Sequence, residues 1–564
     1  MATAQVKRAP PSPRVPSESA PSRRRLWPPS SRATLLLGLL GLVLVAVVSY
    51  AWYVRHGGLF DDDWAVTSSM IANRADGGGF WAGVSDLWSV LSWRPVLVAY
   101  NALVVAPLGW HITAQLIWSV AVSTVFVGLL FQLLRVRGIP SPHAFAVAAL
   151  VLVSTFGDAG VLWISGATIR FAGALYLAGL LLALSAFDTQ DRGRALRRHV
   201  GAGVLYALSI LSYEVTAGFV GAGILVYLTA APPGRALRRW GADLAVSAAA
   251  LAWSATQTPR PTHSLSASLD HARAIAREFW KAYDGAVAPG WFPSHAAGVL
   301  TLVALAVGLV CLALRARKRI AGAQVDAICL WAVVLVVALV YVAAAYVVFV
   351  PGDAYYLPNG VGTSNRINSL PTAPTLLLGY AAVMVLASAL LSLRRRWVPA
   401  ALAVGLLYAA GMFVTHERAL HAEQRVWAGD YAASRGVLDT VALAVPHPAK
   451  GTYVVVVGAP AVRPSGNPLF YASWDLDAAV KKLYGDGSLK AINAYQGVSC
   501  QPDGLAVTGG SSDAYNPNDP GGETTGSLTT DYRRTVLVDA VHQTAYALSD
   551  GLGCQRASSR IAGG

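Results

Sequence analysis

The chain is short of charge. Only 13% of its 564 residues are Asp, Glu, Lys or Arg, while 55% are hydrophobic, and soluble globular domains carry about 25% charged residues. That scarcity argues against a soluble domain as the main body and makes a membrane protein the starting reading. Cysteine is also scarce: there are four, with no CxxC spacing, which argues against a thiolate metal site. The sequence has no Walker loop, no GxGxxG following a strand, no HExxH and no GxSxG elbow. Nucleotide hydrolysis, dinucleotide chemistry and the common hydrolase mechanisms therefore lose support. The net charge of +14 does not indicate nucleic acid, because the basic residues stand in short clusters between apolar runs rather than along one face.

Those runs dominate what is present. Residues 1–32 are rich in Pro, Ser, Arg and Ala and read as a disordered cytoplasmic tail. The run at 33–54 is long enough to cross a bilayer and longer than the apolar core of a cleaved signal peptide, so it reads as a retained signal-anchor. Further runs lie near 111–134, 143–163, 168–187, 200–213, 214–231, 241–256, 297–315, 325–350, 371–393 and 398–415, giving about eleven spans. Basic clusters at Arg135 and Arg137, and at 192–198, 235–239, 315–319 and 394–396, all fall on one side. The positive-inside rule makes that side the cytoplasm.

The expected fold is thus a polytopic α-helical membrane protein of the cell membrane, with residues 33–415 in the bilayer domain and its external loops at 55–110, 257–294 and 351–371. Residues 416–564 form an outer tail. Within it a polar helical stretch at 416–441 precedes a β-branched run at 452–457, a helical pattern at 475–483 and a second strand pattern at 534–538. That alternation predicts a small extracytoplasmic α/β domain. Cys500 and Cys554 both lie in it, in a compartment that permits a disulfide.

Chemistry-bearing residues gather on the outer side. Phe60-Asp61-Asp62-Asp63-Trp64 follows the first span. One carboxylate there can serve as general base to an acceptor hydroxyl, and Asp62 with Asp63 can hold a divalent cation such as Mg or Mn through hard oxygen ligands. The plainer alternative is a solvated loop. Glu214, in Leu211-Ser212-Tyr213-Glu214, marks the junction of two apolar runs and is either a hairpin tip or a group facing a polar cavity. Arg94, Arg170 and Arg366 break the inside rule. Their donor forks suit a lipid phosphate, and snorkelling to headgroups is the alternative. His111, Tyr213 and Asn365 stand beside these groups as supporting candidates.

Four stretches in order resemble the C-type glycosyltransferase superfamily (GT-C), and within it the membrane half of the transmembrane and tetratricopeptide-repeat O-mannosyltransferases and their bacterial relatives. Phe60-Asp61-Asp62-Asp63 looks like the first-loop acidic motif. Trp93-Arg94-Pro95 with Gly109-Trp110-His111 looks like the Arg-Pro and Gly-aromatic-His stretch. Ser165-Gly166 with Arg170 resembles the third external feature, and Ser212-Tyr213-Glu214 resembles the Ser-Lys-Glu motif, with Tyr213 in place of Lys. The likeness covers residues 55 to about 230, and no 34-residue repeat follows the last span.

The resemblance implies an inverting transfer of a sugar from a polyprenyl-phosphate donor to a hydroxyl of a cell-wall glycan or protein. Asp61 or Asp62 would be the base, Arg94, Arg170 and Arg366 the phosphate contacts, and Glu214 a positioning group. A transporter or flippase of lipid-linked saccharides is the competing expectation; it predicts inverted repeats, and the halves show none.

Overall fold

The computed structural model describes residues 32–75, 79–257, 264–290, 292–293, 295–320, 322–351, 356–391, 398–508 and 528–563. The expected N-terminal tail and the basic cluster at 394–396 lie outside the described residues. Helices run in the order α1 (Arg32–His56), α2 (Asp62–Ala75), α3 (Gly79–Leu91), α4 (Pro95–Leu108), α5 (Ile112–Val136), α6 (Ser141–Val153), α7 (Ala159–Leu162), α8 (Ala167–Phe187) and α9 (Arg192–Ser212). They continue with α10 (Thr216–Ala230), α11 (Pro233–Gln257), α12 (Leu265–Val287), α13 (Ala296–Ala316), α14 (Ala323–Val347), α15 (Thr372–Leu391) and α16 (Val398–Ala444).

The apolar runs read from the sequence fall on these helices, except that the run at 143–163 breaks after α6 and resumes in the short α7. Among the described residues seven, α1, α5, α8, α13, α14, α15 and α16, are long and apolar enough to cross a membrane, and α4, α6 and α10 are apolar but shorter. The chain is consistent with a multi-pass membrane protein. α1 carries no charge between residues 33 and 54 and presents Leu36, Leu37, Leu40 and Leu44 outward, while Leu42, Ala46, Tyr50 and Tyr53 are buried. An apolar outer face of this kind suits lipid rather than water.

The two longer segments between the spans carry helices. The first folds as α2, α3 and α4, and residues 265–287 form α12, whose start is capped by Ser264 Oγ accepting from Ala267 N at 3.2 Å. The apolar run at 398–415 and the polar helical stretch at 416–441 form one unbroken helix, α16, of 47 residues, about 70 Å at 1.5 Å per residue. It carries the C-terminal domain on its far end.

That domain has a four-stranded sheet, built from β1 (Tyr453–Val457), β2 (Lys490–Asn493), β6 (Thr535–Asp539) and β7 (Thr544–Ala547) in the order β2-β1-β6-β7. β1 is parallel to both β2 and β6, and β7 is antiparallel to β6. A second, antiparallel sheet pairs β3 (Gly497–Gln501), β4 (Gly504–Thr508) and β5 (Leu528–Thr530). Helix α17 (Ser473–Tyr484) precedes β2, and α18 (Gly551–Gly563) ends the chain. Cys500 of β3 and Cys554 of α18 form a disulfide with Cα atoms 5.9 Å apart.

One apolar cluster joins this domain to the membrane body. It holds Leu59 and Trp64, which flank the acidic triplet, Leu438 and Val441 from the end of α16, and Val454, Phe470, Leu476 and Val480 from the C-terminal domain. A buried side chain of this size contributes about 1.5–3 kcal/mol, so the cluster seats α17 firmly against α2.

Candidate active site

The acidic triplet lies on the turn between α1 and α2, and the turn separates its three carboxylates. Asp61 has φ +49°, a left-handed conformation that Asp tolerates better than most residues. The chain then enters α2 with Asp63 pointing into the protein. Asp63 Oδ1 accepts from Ser165 N at 2.7 Å and Ser165 Oγ at 2.5 Å, while Oδ2 accepts from Phe60 N at 3.0 Å. Its residue is 1% exposed. Burial pushes its pKa up to about 7, against the opposing pull of these hydrogen bonds. Asp63 therefore ties Ser165 to the start of α2.

Asp61 and Asp62 keep part of their surface accessible. Burial raises both pKa values, and for Asp61 the neighbouring charge of Asp62 adds to the rise. Two cations oppose it: Arg366 acts on both carboxyls, and Arg94 acts on Asp62. A carboxylate in such a place is drawn toward ionisation by its arginines and away from it by desolvation.

Arg366 is held from below. Its guanidinium lies 5.4 Å from the Trp163 ring centroid and 5.9 Å from that of Tyr356. Trp163 Nε1 in turn donates to Phe60 O at 3.0 Å, so one indole connects the arginine's seat to the acidic turn. The segment bearing Arg366, residues 362–368, is a 3-10 helix. Asn365 secures it by donating to Asp158 Oδ1 at 2.7 Å and Thr155 O at 3.0 Å, and accepts from Asn368 Nδ2 at 2.9 Å. A side chain at Gly157 would place its Cβ 2.6 Å from Asn368 O, so this close approach requires glycine.

Arg94 precedes Pro95, which starts α4. Its Nε donates to Glu214 Oε2 at 2.9 Å and its Nη2 to Glu214 Oε1 at 3.0 Å. Trp93 and Tyr213 flank the guanidinium at 3.9 and 4.5 Å from their ring centroids. Tyr213, standing where a lysine was expected from the resemblance, supplies a π face for Arg94. The pair joins the first external segment to the α9–α10 turn.

The other candidates lie differently. Arg170 is 1% exposed, donates from Nη2 to Gly157 O at 3.2 Å, and stands over the Phe126 ring at 5.2 Å. Its charge acts on Tyr50 and Asp158 rather than among the main influences on Asp61 and Asp62. His111 is exposed and begins α5 without a side-chain cap. Asp353 and His263 lie outside the described residues.

Sequence reasoning missed the contribution of the C-terminal domain. Trp474, at the start of α17, hydrogen-bonds the Asp62 carboxylate. Beside it Asp475 is fully buried and accepts from Leu476 N at 2.7 Å and Ala472 N at 3.3 Å. Burial raises its pKa well above the usual range, and the charge of Asp61 adds to the rise. Lys482, two turns further along α17, has its ammonium 4.8 Å from the Trp110 ring centroid and 5.4 Å from that of Trp64. The helix pattern at 475–483 was visible in the sequence, but nothing local said where that helix would dock.

A divalent cation fits the expected Asp62–Asp63 pair poorly. Asp63 Oδ1 already accepts two hydrogen bonds and Oδ2 one, whereas a hard cation needs several free oxygens. Among the described residues no group of three or more His, Cys, Asp or Glu side chains comes together to hold a metal ion.

No protein-family model and no curated protein sequence matches the chain. Among solved structures, it is similar to the crystal structure of the Archaeoglobus fulgidus oligosaccharyltransferase tethered with an acceptor peptide containing the NVT sequon. The TM-score is 0.40 and the identity 13%, over 82% of this chain and 64% of that one. This chain thus spans less than two thirds of that enzyme's length, and a likeness of this degree carries no argument about activity.

Proposed function

We propose that the protein is a membrane glycosyltransferase of GT-C type, which moves a sugar from a polyprenyl-phosphate donor to an acceptor hydroxyl at the outer face with inversion. The observation that carries the reading is the placement of two partly accessible carboxyls, Asp61 and Asp62, within the field of Arg366, with the Glu214-anchored Arg94 acting on Asp62 as well. In the proposed step an ionised carboxylate takes the acceptor hydroxyl's proton while the acceptor's oxygen bonds to the anomeric carbon. The bond from that carbon to the phosphate oxygen breaks, and the polyprenyl phosphate leaves with the electron pair.

Asp62 is the better base of the two. Both arginines and the Trp474 hydrogen bond favour its charged form, whereas Asp61 is opposed mainly by burial and by Asp62. Arg366 and Arg94 meet the charge that grows on the leaving phosphate, a form of stabilisation worth most where water is sparse. Glu214 fixes Arg94 in place. Arg170 contributes by holding the packing around Gly157, which in turn seats the Arg366 segment.

The sugar class is open to a direct test. Purified protein is incubated with radiolabelled polyprenyl-phosphate mannose, glucose and arabinose, alongside D61A, D62A and E214A. Transfer from one donor that the three substitutions reduce supports the reading. Transfer indifferent to all three overturns the site, and neither transfer nor donor binding across the panel points to transport instead.

A further inference from the structure

Helices α9 and α11 open on the same six residues. Gly193-Arg194-Ala195-Leu196-Arg197-Arg198 begins one and Gly234-Arg235-Ala236-Leu237-Arg238-Arg239 begins the other. Between their first turns and the end of α8 lies a cavity of about 1000 Å³. Its arginine-lined end stands at the start of α9, about 30 Å along that 21-residue helix from Tyr213 and Glu214. It is thus separate from the site described above.

The cavity has two chemically distinct parts. Arg192, Arg235, Arg238 and Arg239 line it against two carboxylates, Asp188 and Asp243. Asp243 is already engaged, paired with Arg239 and accepting from Tyr227 Oη at 2.8 Å. Arg239 has a side chain only 8% exposed; Nη1 donates to His199 O at 2.8 Å, and its buried Nε has no hydrogen-bond partner. The buried Nδ1 of His199, on the same wall, has none either. A buried polar group without a partner is costly, and these two nitrogens line a space with room for a ligand. Further along α9 the lining turns aliphatic, and Leu196, Val200 and Val204 are 64%, 58% and 52% exposed.

We propose that this cavity binds an anionic glycerophospholipid of the leaflet at that end. Its phosphate sits among Arg192, Arg235 and Arg238, and its acyl chains lie along Leu196, Val200 and Val204. A free anion would leave the aliphatic part empty, and a zwitterionic lipid would bring its own cation against the arginines. Basic pockets between membrane helices are suited to anionic headgroups on these grounds.

The test uses the full-length protein, stripped of lipid in detergent and titrated by native mass spectrometry with phosphatidylglycerol, phosphatidylcholine or inorganic phosphate. Phosphatidylglycerol is expected to bind in preference to the other two. The R235Q/R238Q variant alters two exposed positions and is expected to bind it about thirtyfold more weakly, at roughly one tenfold step or less for each charge removed. R317Q/R319Q, at the end of α13, is expected to bind as the parent does. Equal binding by R235Q/R238Q and parent, equal binding of phosphatidylcholine, retention of inorganic phosphate as tight as lipid, or an equal loss in R317Q/R319Q would each overturn the proposal.

Discussion

Arg94 and Glu214, 120 positions apart, meet through two parallel hydrogen bonds of 2.9 and 3.0 Å. The pair pins the segment that opens α4 to the α9–α10 turn. Charge-assisted contacts of this kind contribute about 1.5–3 kcal/mol each when little exposed. Glu214→Gln keeps the shape and removes the charge. Its unfolding midpoint in detergent is expected to fall by several degrees and transfer activity to fall at least tenfold. Arg94→Lys cannot restore the two-point contact and should behave similarly, with a double variant no worse than either single one. Additive losses in a double-mutant cycle would show that the two residues act independently.

The acidic triplet makes a sharper contrast, since three identical residues have unlike surroundings. Asp63 accepts three hydrogen bonds inside the protein, so Asp63→Asn directs an amide N–H at a donor on one side or the other. The expected cost is about 2–3 kcal/mol of stability, read as a lower thermal midpoint. Asp62→Asn leaves those bonds intact; its midpoint stays near that of the parent while transfer falls by about 10²–10⁴, the range for loss of a general base. A stable, active Asp62→Asn protein would remove Asp62 from the chemistry.

Cys500 and Cys554 are 54 positions apart, and the chain-entropy account of a loop that long gives about 4 kcal/mol of stabilisation. The C500S/C554S variant is expected to lower the unfolding midpoint of the outer domain, followed by protease sensitivity within residues 453–563, with the membrane helices melting as before. Because α17 sits on α2 through Trp64, Phe470 and Leu476, transfer activity should decline at temperatures that leave the membrane body folded. An unchanged protease profile under reducing conditions would show that the sheet packing alone holds the domain.

Hydropathy made the long helices legible because an apolar run near twenty residues has few other uses, and the order of the acidic, Arg-Pro and Glu motifs brought Asp61, Asp62, Arg94 and Glu214 to notice. What stayed hidden was non-local. The apolar run to 415 and the polar helical stretch at 416–441 were both legible, but not that they join in one helix whose buried positions, Leu420, Trp427, Leu438 and Val441 among them, continue past the apolar run. Nothing in the letters Asp-Asp-Asp distinguishes the third from the first two; the positive φ at Asp61 and the distant Ser165 do that. Nor does the sequence show that the Asn365 amide bonds to Asp158 and Thr155. The placement of Trp474 depends on a domain some 400 residues downstream of the acidic turn docking on it.

That docking yields a pH prediction. The Trp474 hydrogen bond favours the charged form of Asp62 and so lowers its pKa, in the same direction as Arg366 and Arg94 and against burial. Removing the donor leaves burial less opposed, and the pKa rises. If Asp62 must be ionised to take the acceptor's proton, the acidic limb of kcat/KM should move to higher pH in Trp474→Phe, which keeps an aromatic ring but has no N–H. One neutral donor is worth about 0.5–1.5 kcal/mol, so the displacement should be up to about one pH unit. Activity should then recover toward the parent's on the alkaline side of the limb. Trp474→Ala also removes packing from the α17–α2 contact and should lower activity across the whole range. A Trp474→Phe profile that drops uniformly without moving its acidic limb would show that the indole packs beside Asp62 without tuning it, and that the base lies elsewhere.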